Sequence, residues 1–98
     1  MISVEIKPAK TKIHKYTAIF FEGDKKIKTT NFGYKGMSDF TKHKDQERKK
    51  KYLARHKKNE NWNDYKSAGS LSRYILWNKP TLKASINDYI KKFKLKKK

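Results

Sequence analysis

Lys15-Tyr16-Thr17-Ala18-Ile19-Phe20-Phe21 and Lys26-Ile27-Lys28-Thr29-Thr30-Asn31-Phe32 flank Glu22-Gly23-Asp24-Lys25, and this stretch decides how the chain begins to fold. Gly23-Asp24 suits a two-residue hairpin turn with Gly at the first central position, where φ is positive. That turn predicts Phe20 opposite Ile27 and Tyr16 opposite Asn31. Tyr16, Ala18, Phe20 and Ile27 then share one face of the hairpin, while Ile19 and Phe21 point to the other. Apolar groups on both faces imply that each side is covered or makes a contact. Upstream, Ile2, Val4 and Ile6 alternate with Ser3, Glu5 and Lys7, the period of a half-buried strand, and Pro8 ends it.

Downstream of Gly33 and Gly36 the period turns helical. Ser38 or Asp39 suits the cap of an opening turn, and a stronger helix is predicted from about Asp45 to Lys58. Asp45 and Glu47 stand early in it and Arg55, Lys57 and Lys58 late, the order that complements the helix dipole, with Asp45–Lys49 and Glu47–Lys51 spaced for i,i+4 support. Its apolar content is only Tyr52, Leu53 and Ala54, so most of its circumference faces water or an anion. A second helix is predicted near Ser70 to Trp77, stopped by Asn78-Lys79-Pro80, and a third is capped by Thr81. In the third, Leu82, Ile86, Tyr89, Ile90 and Phe93 form an apolar stripe. The fold class predicted is α+β: a small antiparallel sheet of two or three strands followed by two or three helices. Residues 1–93 form a single domain in this reading, and 94–98 a basic C-terminal tail.

Charge sets the class of partner. Lys and Arg number 27 against 9 Asp and Glu, a formal net charge of +18 on 98 residues. Residues 1–36 carry 8 basic and 3 acidic groups, 37–66 carry 10 and 5, and 67–98 carry 9 and 1, so the basicity is spread along the chain. Such a charge opposes compaction by self-repulsion, and a polyanion such as nucleic acid relieves it. With 13% aromatic residues in patterned segments, the chain reads as folded, since disordered chains are poor in aromatics.

The absence of cysteine excludes a disulfide framework and a thiolate zinc site. Met1-Ile2-Ser3-Val4-Glu5 lacks the apolar run of a signal peptide, and no stretch approaches the roughly 18 apolar residues of a membrane span. An intracellular site, or a particle assembled there, is the expectation. His43-Lys44-Asp45 has the letters of the phospholipase D and nuclease motif without its spacing. His43 with Glu47 and His56 with Glu60 stand at i,i+4, but two ligands make no metal site. No Gly-rich phosphate loop or Ser/His/Asp arrangement stands out. No enzymatic activity, cofactor or small-molecule substrate is expected.

One pattern extends over nearly two thirds of the chain. Asn31-Phe32-Gly33-Tyr34, Asp39-Phe40-Thr41, His43-Lys44-Asp45, Tyr52-Leu53-Ala54-Arg55-His56-Lys57, Asn61-Trp62, Ala68-Gly69, Leu76-Trp77-Asn78-Lys79-Pro80 and Ile86 together resemble a family of uncharacterised small basic proteins encoded by nucleocytoplasmic large DNA viruses. The resemblance covers about residues 31–93. It implies a setting, the virion and the infected cell's cytoplasm or nucleus, and no catalytic residue.

Within that setting the basic helix is the candidate site. Lys44, Arg48, Lys51, Arg55 and Lys58 recur at i,i+3 or i,i+4 and form a stripe able to track phosphates. A plain solvated helix face is the competing reading. A helix-turn-helix from 70–77 and 82–93 competes with two packed core helices, the preferred reading because the last helix spends its best face on packing. Lys26, Lys28 and Thr30 on a strand would suit a sheet lying in a groove, but lysines also protect strand edges, again the preferred reading. The function expected is noncatalytic binding of DNA or RNA through phosphates. The alternative is a minor capsid or scaffold protein whose lysines meet acidic viral structural proteins.

Overall fold

The hairpin forms where the sequence puts it, but its register is set by a bulge as well as by the turn. The computed structural model describes residues 2–36, 39–57 and 62–98. Strands β1 (Ile2–Pro8), β2 (His14–Glu22) and β3 (Lys25–Tyr34) run antiparallel in sequence order. Glu22 pairs with Lys25 across Gly23-Asp24, and Gly23 takes φ 62°, which a Cβ would strain. Phe21 then faces Lys26 but Phe20 faces Lys28, leaving Ile27 as the extra residue of a β-bulge. The bulge corrects the expected pairing by one position: Tyr16 pairs with Phe32 rather than Asn31, and Phe20 with Lys28 rather than Ile27. A one-residue slip exchanges faces. Ile27 is accordingly exposed, and Phe32 is buried beside Ala18 and Phe20.

A fourth strand corrects the expected count. β4 (Lys96–Lys97) lies parallel to β1, pairing Ser3 with Lys96 and Val4 with Lys97, so the sheet is mixed with order β3-β2-β1-β4. The segment 94–98 was expected as a tail because its side chains are nearly all lysine. Pairing uses the backbone, which charge patterning does not report, and Leu95 supplies an apolar anchor buried in the core. Lys94 turns the chain at φ 55°, and the Lys98 N–H donates to the Val4 carbonyl at 3.0 Å. On the sheet face opposite the core, the Lys98 ammonium lies 4.2 Å from the Phe21 ring centroid.

Four short helices and one π turn are described, where two or three helices were expected. α1 (Phe40–His43) is capped by Asp39, whose carboxylate accepts from the Thr41 N–H at 3.0 Å. α2 (Gln46–His56) is capped by Asp45, which accepts from Glu47 at 3.0 Å and Arg48 at 3.4 Å. α3 (Ala68–Leu71) is capped by Ser67 and widens into a π turn over Ser72–Leu76, where the Trp77 N–H reaches the Ser72 carbonyl at 3.0 Å. The wider turn brings Leu76 into the core with Leu71 and Ile75, and leaves Tyr74 only half-buried. α4 (Leu82–Lys92) begins at Thr81 as expected, with Ser85 and Tyr89 at the centre of its buried face and Leu82, Ile86 and Ile90 flanking them.

The core joins Val4, Ala18, Phe20 and Phe32 of the sheet to Leu71, Ile75, Leu76 and Tyr89. The expected packed helices are therefore those that cover the sheet. The Tyr89 hydroxyl donates to the Tyr65 carbonyl, and burial, with Tyr65 and Asp64 adding, pushes that phenol well above its ordinary range. Gly33, at φ 72°, is the next-to-last residue of β3, and a Cβ there would stand 2.8 Å from Leu76 Cδ1. That close approach seats the end of β3 on the π turn. The stop at Asn78-Lys79 is pinned to α4: Asn78 Nδ2 donates to Asp88 at 2.7 Å and Ser85 Oγ accepts from the Lys79 N–H at 2.9 Å.

Candidate nucleic-acid interface

The side chains of α2 sort by face. Lys49, Leu53 and His56 are half-buried and Tyr52 is buried, an i,i+3,i+4,i+7 set that fixes the inward side. Arg48, Lys51 and Arg55 are exposed on the outward side, at spacings that keep them neighbours. Lys44 is exposed too but stands before the Asp45 cap, as the left-handed C-cap of α1 at φ 55°. It is therefore not part of the helical stripe. Lys58 lies outside the described residues. Three of the five expected residues thus share one helix face.

What holds that face in place is a column of rings. Tyr52 stacks on Trp77 with centroids 4.3 Å apart and planes 5° apart, and His56 lies 4.3 Å from Tyr52 on the same helix. His43 packs 5.2 Å from Trp77 and 6.3 Å from Phe40. Lys49 adds a polar tether, donating to the Asn78 carbonyl at 2.7 Å with its ammonium 4.9 Å from the Phe40 centroid. The expected Asp45–Lys49 pair is replaced by these two separate tasks, capping and tethering. Desolvation, then the nearby charges of Arg73 and Lys79, lower the Lys49 pKa.

His43, weighed in the sequence as a metal ligand with Glu47, is a packing residue here. Its Nδ1 accepts from the Asp45 N–H at 2.9 Å, which assigns the ring proton to a buried Nε2. Glu60, the companion of His56, lies outside the described residues. Among the described residues no three of His, Cys, Asp and Glu come together to hold a metal ion. No described helix is long and apolar enough to cross a membrane.

A cleft of about 450 Å³ opens beside this face, between the end of β3, the ring column and the start of α3. Its floor includes an ion pair that the sequence reading missed. Lys15 Nζ lies 2.5 Å from Asp39, with side chains 9% and 3% exposed. The same carboxylate accepts from the Thr41 N–H and hydroxyl, so Asp39 caps α1 and ties it to β2 at once. Burial, with the Asp39 charge adding, raises the pKa of the Tyr16 phenol nearby. Arg55 forms part of the cleft wall, as do His14, Tyr34 and Asn31, all from the ends of β2 and β3. Tyr34 is 61% exposed and its ring lies 5.5 Å from His14.

Known proteins bear on this arrangement in one place. A family model, described as a family of unknown function (DUF5754), matches residues 4–56. The chain belongs to this family. The matched stretch runs from β1 to the end of α2, so it contains Lys15, Tyr34, Asp39 and the whole outward face of α2. No curated protein and no solved structure matches the chain.

Sequence reasoning found the outward cations by their spacing. It placed Asp39 as a helix cap, which it is, but missed its pairing with Lys15 and the role of His14, because those partners lie 24 residues away or across the sheet. Lys26 and Lys28 are exposed on β3, an edge strand, as the edge-protection reading expects, while the Thr30 hydroxyl is turned inward to the Lys66 carbonyl at 2.7 Å. Trp62 is half-buried with the Arg73 guanidinium 5.3 Å from its ring centroid.

Proposed function

We propose that this protein binds DNA or RNA through phosphate contacts, without catalysis, as a virion-associated protein of a large DNA virus. The observation that carries the reading is the division of α2. Its inward side is occupied by Tyr52, His56 and Lys49, and its outward side offers Arg48, Lys51 and Arg55 to solvent. A helix anchored in this way holds three cations on a firm support, which suits a regularly spaced row of phosphates. The composition adds to this, because nine carboxylates cannot neutralise 27 Lys and Arg one to one. The viral setting rests on the resemblance of residues 31–93 to small basic proteins of large DNA viruses.

The test is a salt titration of binding to unrelated duplexes. If about six to ten phosphates are neutralised, affinity falls roughly 10³- to 10⁵-fold between about 50 and 200 mM salt, with little sequence preference. No binding of either duplex or single strand at the low-salt end removes this reading and leaves a basic scaffold for acidic viral structural proteins as the alternative.

A further inference from the structure

Resting on that phosphate-binding reading, we propose that the cleft beside α2 receives one unstacked base of a single-stranded nucleic acid, with the neighbouring phosphates on Arg55, Lys51 and Arg48. Its volume, about 450 Å³, falls within the roughly 300–1,000 Å³ of small-ligand sites. Four consecutive residues of β3, Asn31 to Tyr34, line it. β3 is an edge strand, so half of its backbone N–H and C=O groups there point away from β2. A base edge is a row of donors and acceptors, which such a strand edge can pair.

The walls favour a flat ring. Tyr34 stands at the mouth, 61% exposed, its orientation supported by His14 at 5.5 Å. Stacking on an exposed aromatic is the sequence-tolerant way in which single strands are held, since every base has a π-face. The stacked Trp77–Tyr52 pair also lines the cleft and adds apolar surface. The charges complete the argument. Inside, Lys15 and Asp39 neutralise each other, so the interior suits an uncharged base. At the edge, Arg55 belongs both to the cleft wall and to the outward cation row, so one residue links the base site to the phosphate track. A duplex keeps its bases stacked inside and must pay a few kcal/mol to place one here, whereas a single strand has them free.

Fluorescence anisotropy with labelled oligothymidylate and with a GC-rich duplex of equal length, at about 50 mM salt, tests this. The native protein is expected to bind the single strand about tenfold or more tightly than the duplex. Tyr34→Ala is expected to weaken single-strand binding by about fivefold or more, Tyr34→Phe to restore it, and duplex binding to stay the same in both. Because Tyr34 is exposed, its truncation leaves the core intact, and an unchanged melting temperature confirms that. Equal affinity for the two nucleic acids, or a Tyr34→Ala loss that is absent or shared equally by both, overturns the base site while leaving phosphate binding standing. Binding to neither overturns both readings.

Discussion

Tyr52 and Trp77 lie face to face, 4.3 Å apart and 5° from parallel, and this pair fastens the most basic helix of the chain to its body. Tyr52 is the buried residue of α2. Tyr52→Ala is therefore expected to cost about 3 kcal/mol, by analogy with other buried aromatic truncations. The loss should be concentrated in 46–56, where amide hydrogen exchange should accelerate while the strands keep their protection. Uniform acceleration across the chain would show instead that α2 and the sheet unfold together.

The second expectation concerns the C-terminal segment. Leu95 is buried in the core and Lys96–Lys97 pair with β1. Leu95→Ala should cost about 2–5 kcal/mol, the range for buried Leu truncations, and should be visible as a lower midpoint in urea. A midpoint equal to the native one would mean that 94–98 contributes nothing to the fold.

A third experiment separates a binding surface from bulk charge. Replacing Arg48, Lys51 and Arg55 together by Ala should change stability by less than about 1 kcal/mol, because exposed charges contribute little. Nucleic-acid affinity should fall equally for unrelated sequences, with the salt slope reduced by about one per lost phosphate contact. Lys25, Lys26 and Lys28, exposed at the other end of β3 from the cleft, remove the same charge when replaced by Ala. An equal loss from the two triples would reduce the effect to net charge.

The fourth is a pH dependence. Folding raises the phenol pKa of Tyr89 and of Tyr16 from their ordinary value of 10.0, chiefly by burial. A raised folded-state pKa means that the unfolded chain loses these protons first as pH rises. The stability that they contribute is complete below pH 10 and is lost above it. Lys49, whose pKa is lowered, works in the opposite sense, but it is less buried than Tyr89. Urea midpoints at pH 8, 9.5 and 11 should therefore fall over the last step. In Tyr89→Phe the fall should be smaller, after a cost of about 1–3 kcal/mol at every pH for the unpaired Tyr65 carbonyl.

The local features were legible in the order of the amino acids alone. Gly23-Asp24 fixed the hairpin turn, Thr81 and Asp45 fixed two helix starts, and the i,i+3,i+7 spacing of Arg48, Lys51 and Arg55 put three cations on one face. Each of these depends on residues within one turn of backbone. What depended on distant partners was legible only in the tertiary structure. The bulge at Ile27 arises from how two strands pair, not from the turn between them. The last strand looks like a charged tail until Leu95 has a core to enter and β1 has an open edge. Likewise the Lys15–Asp39 pair and the cleft above it combine residues from β2, β3, α2 and α3. No local period encodes such a meeting, because burial and pairing energies act between surfaces that only the folded chain brings together.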